Sequence, residues 1–131
     1  MDYSQLSDFE INARVFEALH GGSPDYKEGD NGEMLLISFE ADVVGGDIAE
    51  VEVVRGSFNP CHNPADAWPI ISSNRISIEY DAEERCDTPA EWVTAYGIDE
   101  LKVHIVSHQP CDKALRSAMI VFLMMQDAKH A

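Results

Sequence analysis

Between Leu115 and Met125 only Arg116 and Ser117 are polar, and the eight residues from Ala118 to Met125 are apolar without interruption. At helical spacing Leu115, Ala118, Met119, Phe122 and Met125 share one face. Ile120, Val121, Leu123 and Met124 occupy the rest of the circumference, so the helix is apolar nearly all round. Such a helix must be buried on several sides or shared with another chain, which makes homo-oligomerisation through this C-terminal helix an expectation. It is too short to cross a bilayer, which takes roughly 20 residues. Gln109-Pro110 breaks the chain before it, and Cys111 or Asp112 opens it.

A chain of 131 residues suits one domain, residues 1–131, and buries roughly two thirds of its unfolded surface. Hydrophobic residues make up 45% of it, enough for a real core, so the charge sits on the surface. That charge is large: 24 acidic residues against 9 basic give −15, and residues 1–66 hold 14 acids against 3 bases. The resulting field repels phosphate backbones and anionic lipid, which argues against direct nucleic-acid or membrane binding. It suits a basic partner or a divalent cation, though solvation of the surface alone also accounts for it. Asp2, Asp8, Glu10 and Glu17 occupy the stretch where an export signal would need apolar residues. Three cysteines without such a signal point to reduced thiols in a cytoplasm.

The first helix announces its start. Ser7 and Glu10 form a capping box, with Leu6 and Ile11 as its hydrophobic staple. Ile11, Val15 and Leu19, beside Phe16, make its apolar stripe, and Gly21-Gly22 stops it. Residues 23–33 read as an exposed loop. Its Asp25, Glu28, Asp30 and Glu33 lack the spacing of a calcium-binding EF-hand. Met34 to Phe39 and Ile48 to Val54 are extended and flank Gly45-Gly46-Asp47, the pattern of an antiparallel hairpin. Glu50 and Glu52 would share its wet face, opposite Val51 and Val53 on a packed one.

Asn63-Pro64 opens a helix that Pro69 should end after about one turn, pinning Trp68 against the core. A turn at 72–74 and a strand over 75–80 follow. Thr88-Pro89-Ala90-Glu91 repeats the capped turn ahead of Trp92. Cys61, Cys86 and Cys111 stand 25 residues apart, but likeness beyond the capped turns is poor, so two uses of one solution fit better than a repeat. Leu101 to Ser107 reads as a strand with Leu101, Val103 and Ile105 on one side and Lys102, His104 and Val106 on the other. The expected fold is α+β: one antiparallel sheet of about four or five strands packed against an N-terminal and a C-terminal helix.

Few residues promise chemistry. Cys61, His62, Cys86, His104, His108 and Cys111 are the metal-ligand candidates, but no close CxxC pair is present, and ordinary thiols and histidines are the simpler reading. Cys61 and His62 are adjacent, so their side chains diverge unless the backbone turns; Cys111 near a helix start has a slight claim to thiolate character. Nucleophile-elbow, P-loop and dinucleotide-binding motifs are absent, no cofactor is implied, and with so many carboxylates, chance pairs carry no acid/base assignment. Trp68 and Trp92 read first as core anchors and second as contact residues of a binding surface.

Three blocks belong together: Asp2-Tyr3-Ser4-Gln5-Leu6-Ser7-Asp8-Phe9-Glu10-Ile11-Asn12, Asn63-Pro64-Ala65-Asp66-Ala67-Trp68-Pro69-Ile70-Ile71, and Leu115-Arg116-Ser117-Ala118-Met119-Ile120-Val121-Phe122-Leu123-Met124-Met125-Gln126. They resemble the NinX-like family of small proteins of lambdoid bacteriophages and related prophages. The blocks that carry the resemblance cover about a third of the chain and leave segments 23–58 and 79–100 unaligned. It implies a setting, a phage accessory protein in the host bacterial cytoplasm, and transfers no catalytic residue.

Three functions follow as expectations. The first is a non-enzymatic acidic module engaging a host or phage protein, with Trp68, Trp92, Ile120, Val121 and Met124 as its contact residues. The second is a decoy whose carboxylates mimic the phosphates of DNA. The third is a small metal protein or enzyme built on Cys61, His62 or the His104 to Cys111 segment. The absence of catalytic motifs ranks a non-enzyme above an enzyme.

Overall fold

The computed structural model describes residues 1–83 and 90–130. Among these it forms an α+β fold with three α-helices and six strands. Helix α1 (Asp8–His20) begins as its sequence dictates: Glu10 N–H donates to Ser7 Oγ at 3.1 Å and Ser7 N–H to Glu10 Oε1 at 3.3 Å. Gly21, at φ 71°, closes it by donating to the Glu17 carbonyl. Ile11 and Val15 are fully buried, whereas Leu19, the last residue of the expected stripe, stays exposed.

The strands divide into two three-stranded antiparallel sheets, so the expected single sheet of four or five strands is corrected. In the first sheet β1 (Tyr26–Glu28) pairs with β2 (Met34–Val44), and β2 with β3 (Asp47–Phe58). The second is a meander of β4 (Ser77–Glu83), β5 (Ala90–Asp99) and β6 (Lys102–Gln109). The physical reason for the split lies between β3 and β4. There the chain leaves the first sheet at Asn59-Pro60, runs through α2 (Pro64–Ser73), and restarts against a different neighbour. Gly45 and Gly46, at φ 61° and 90°, supply the two positive-φ positions that a tight hairpin between β2 and β3 demands.

Three local expectations are overturned. Strand β1 lies within the 23–33 segment read as loop, recruited by pairing of Lys27 with Leu35 rather than by its own composition. Helix α2 continues through Pro69 to Ser73. The ring removes only the bond to the Ala65 carbonyl, and Ala65 is an exposed residue, so the loss falls on the solvent side of the helix. Ala67, Ile70 and Ile71 form the buried stripe of α2, which turns Trp68 outward at 65% exposure instead of pinning it. Of the second expected capped turn, residues 84–89 (with Cys86) lie outside the described residues. Its remainder is strand, because Glu91 and Trp92 pair with Ala82 and Asp81.

Helix α3 (Ala114–Lys129), preceded by a 3-10 turn at Cys111–Lys113, is the centre of the molecule. Helices α1 and α2 and the inner face of the second sheet surround it, so its apolar circumference is covered within the chain. Met119 and Val121 are fully buried, with Phe122, Leu123 and Met125 nearly so. Each such side chain contributes about 1.5–3 kcal/mol by leaving water. Strand β5 makes room for this helix by turning its small residues inward. A Cβ on Gly97 would stand 2.7 Å from Met125 Sδ and 3.3 Å from Val121 Cγ1.

Candidate interaction surface

The adjacent Cys61 and His62 are separated by the turn that follows β3. His62 turns outward and bonds through Nε2 to Asp8 Oδ2 at 2.5 Å, while Cys61 is buried with Sγ 3.8 Å from the Asp8 carbonyl oxygen. Burial first, and the Asp8 charge second, push the thiol up to about 12, so it stays protonated and is neither nucleophile nor ready metal ligand. The other Asp8 oxygen, Oδ1, accepts from Arg116 Nη1 at 2.6 Å, and Arg116 Nη2 donates to the Leu6 carbonyl at 2.7 Å. Burial works to raise the Asp8 carboxyl, but the bonds from Arg116 and His62 outweigh it and hold it below the usual carboxylate range. Beneath this cluster Asn12 is fully buried. Its Nδ2 donates to the Gly32 carbonyl and to Asn59 Oδ1, each at 2.9 Å, and its Oδ1 accepts from Cys61 N–H at 3.1 Å. The arrangement clamps α1, the 29–33 turn, the 59–63 turn and α3 together; it offers no substrate an activated nucleophile.

The other ligand candidates are dispersed. His104 sits inside β6 opposite Gly97, buried, its Nε2 without a hydrogen-bond partner among the described residues. His108 is on the opposite face, its ring stacked on Trp92 with centroids 5.0 Å apart and planes 17° apart. Cys111 is half-buried in the 3-10 turn. Among the described residues no three His, Cys, Asp or Glu side chains converge as a metal site would require. The alternation read in β6 holds, but the histidine side faces inward. Val103 and Ile105 face out because β5 offers its small residues, Ala95 and Gly97, opposite Val106 and His104.

The proposed contact residues are placed in three ways. Val121 is fully buried in the core and Ile120 nearly so; Met124 is partly buried against it. Trp68 is exposed on α2, and Trp92 is half-buried on the outer face of the second sheet. The exposed apolar surface lies instead on strands. On the second sheet Ile98 pairs with Val103 and Tyr96 with Ile105, and Ile98, Val103 and Ile105 are each more than half exposed. Tyr96 OH donates to Glu79 Oε1 at 3.0 Å, and Asp81, Asp99 and Glu100 lie at the rim of this sheet.

The second exposed face is on β2 and β3. Ile37 pairs with Val54, Phe39 with Glu52, Ala41 with Glu50, and Val43 with Ile48, so these side chains share one face. Val43 and Ile48 are 69% and 80% exposed. The expectation of a packed and a wet face is therefore corrected: Glu50 and Glu52 stand among apolar side chains, and Val51 and Val53 on the other face are only partly covered. Among the described residues strand β3 finds its extensive contacts in β2, and no layer of them covers either face of the distal ribbon. No periodicity in the sequence marks this, because alternation looks the same whether the apolar face is covered or bare.

The model of the family described as Bacteriophage P22, NinX matches residues 2–126. The chain belongs to the NinX family. No curated protein and no solved structure matches it. The family match spans 23–58 and 79–100, the segments that the three resembling blocks leave out. In this NinX-family chain the first and third blocks meet in space at Asp8 and Arg116, and His62 reaches them from the residue just before the second. No pattern within any one of the three blocks marks that convergence, apart from Arg116, a lone base at the start of an otherwise apolar helix.

Proposed function

We propose that this NinX-family phage accessory protein is a non-enzymatic acidic interaction module that binds a host or phage protein in the bacterial cytoplasm. One observation carries the reading: the large exposed apolar side chains of its strands, such as Ile98, Val103 and Ile105, stand in groups bordered by carboxylates. Contiguous apolar surface rimmed by polar groups is the usual mark of a protein-binding face. The acidic field adds charge selection, favouring a basic partner and discouraging phosphate. An enzyme reading has less to stand on, since the thiol beside the Asp8 and His62 pair is sealed and protonated. Mimicry of DNA would need rows of carboxylates uninterrupted by apolar side chains, whereas Glu50 and Glu52 face Ala41 and Phe39.

Affinity capture with the tagged full chain from infected and uninfected host cells tests this. A partner held in fixed stoichiometry by the wild-type chain, and released by high salt, is expected. Capture of nothing from either lysate would remove the reading.

A further inference from the structure

We propose that the bare face of the β2–β3 ribbon docks a cationic, partly apolar segment of another protein; the inference rests on the interaction-module reading and names the element and the partner chemistry. Strand β2 has 11 residues and β3 has 12. At about 3.3 Å per residue the ribbon is roughly 35 Å long, and among the described residues it is held to the body at its base, where Met34 is buried and Phe58 packs on the core. Met34, which is buried, and the exposed Tyr26, whose ring lies 5.8 Å from that of Phe9, fall on the face turned toward α1. The strip of Ile37, Phe39, Val43, Ile48 and Val54 is on the opposite face, away from the body. Two-stranded ribbons are marginal in water by themselves. One that leaves its apolar face uncovered has that face available for a partner.

Charge decides which partner. The strip has an apolar row on β2 beside Glu50 and Glu52 on β3, and Glu40, Asp42 and Asp47 stand on the reverse face. Arg55 is the one base in residues 34–58, and its guanidinium is engaged by Ser38 and Glu40; Lys27 at the edge is engaged by Glu52. A second copy laid on this strip would bring carboxylate against carboxylate, which is repulsive. A two-stranded ribbon has the width to enter a DNA major groove, but these carboxylates would face phosphates. A protein segment with apolar side chains next to lysines or arginines satisfies both rows: the first against Phe39 and Val43, the second against Glu50, while Glu52 is already paired with Lys27.

The test uses the full chain and a labelled synthetic peptide of alternating lysine and valine, with a glutamate and valine peptide and a DNA duplex for comparison, read by fluorescence anisotropy. Val43→Ser with Ile48→Ser leaves the charge unchanged and alters only exposed side chains; Glu50→Gln removes the unpaired carboxylate of the strip, leaves the Lys27–Glu52 pair intact and keeps the apolar row. Unchanged melting temperatures verify that both variants fold. Each is expected to weaken the lysine peptide at least about tenfold, a loss of ~1.4 kcal/mol. Equal binding by Val43→Ser, Ile48→Ser and wild type would overturn the proposal, reducing the effect to net charge. Loss of binding only in Ile98→Ser with Ile105→Ser would overturn the ribbon's role while leaving the interaction reading intact. Preference for the duplex, or sedimentation of a dimer that the serine variants dissolve, would also overturn it.

Discussion

Asp8 and Arg116, 108 residues apart in the chain, are joined at 2.6 Å across the junction of the first and last helices. The bond does two things at once. It pairs a base that enters an apolar helix with the nearest carboxylate, and it anchors the chain entering α1, since the same guanidinium reaches the carbonyls of Ser4 and Leu6. Both side chains are largely buried, Arg116 at 16% and Asp8 at 21% exposure, so each depends on the other for its hydration loss.

Asp8→Asn should therefore cost about 2–3 kcal/mol, because Arg116 is left buried without its counter-ion. His62→Ala should cost about 0.5–1 kcal/mol, since that ring is 43% exposed and its pair is screened by water. Chemical denaturation of both variants measures the contrast.

The same pair predicts acid sensitivity. The Asp8 carboxyl is held below its ordinary 3.8 in the fold, so its contribution is complete above that value. It is lost as pH falls through the lowered folded value, where the native carboxylate takes up its proton. Thermal melts from neutral to acid pH should fall more steeply for wild type than for Asp8→Asn.

At the alkaline end the sign reverses. Burial and the bond from its hydroxyl to Asp127 push Tyr3 up to about 12, and Cys61 is also pushed up to about 12. Both are stabilised in neutral form. Their contribution is intact below their ordinary values of 10.0 and 9.0 and is lost as pH rises toward 12. Tyr3→Phe should flatten the alkaline part of the stability profile. In a Cys86→Ser, Cys111→Ser background, the Cys61 thiol should react with a disulfide reagent only at the rate of unfolding.

Asn12→Ala should destabilise by about 2–3 kcal/mol, more than its loss of volume explains. It leaves the Cys61 N–H and the Gly32 carbonyl without the amide that bridges them. His104→Leu should do the opposite. Removing a buried ring nitrogen that lacks a partner while keeping apolar contact should gain about 1 kcal/mol, read as a higher melting temperature. A loss on His104→Leu would show that the imidazole is bonded to something in solution.

Gly97→Ala brings a methyl group into the contact between β5 and α3. With Val121 and Met125 both in its way, a cost of about 1–3 kcal/mol is expected.

What could be read from the chain alone was what depends on neighbours a few residues away. Ser7 and Glu10 wrote the start of α1, Gly45-Gly46 the turn between β2 and β3, and the run from Leu115 to Met125 a helix needing burial on all sides. Each is a local free-energy preference that no distant contact had to arbitrate. The rest was settled by partners far away in sequence. Pro69 continues a helix on its exposed side while Ala67, Ile70 and Ile71 pack inward, Glu91 and Trp92 are strand because β4 lies alongside, and Asp8, His62 and Arg116 meet because three elements fold onto one point. Above all, alternation along β2 and β3 specifies which side chains share a face but not whether anything covers it. That is a matter of where the other layers lie, and here they lie against α3, leaving Val43 and Ile48 in water.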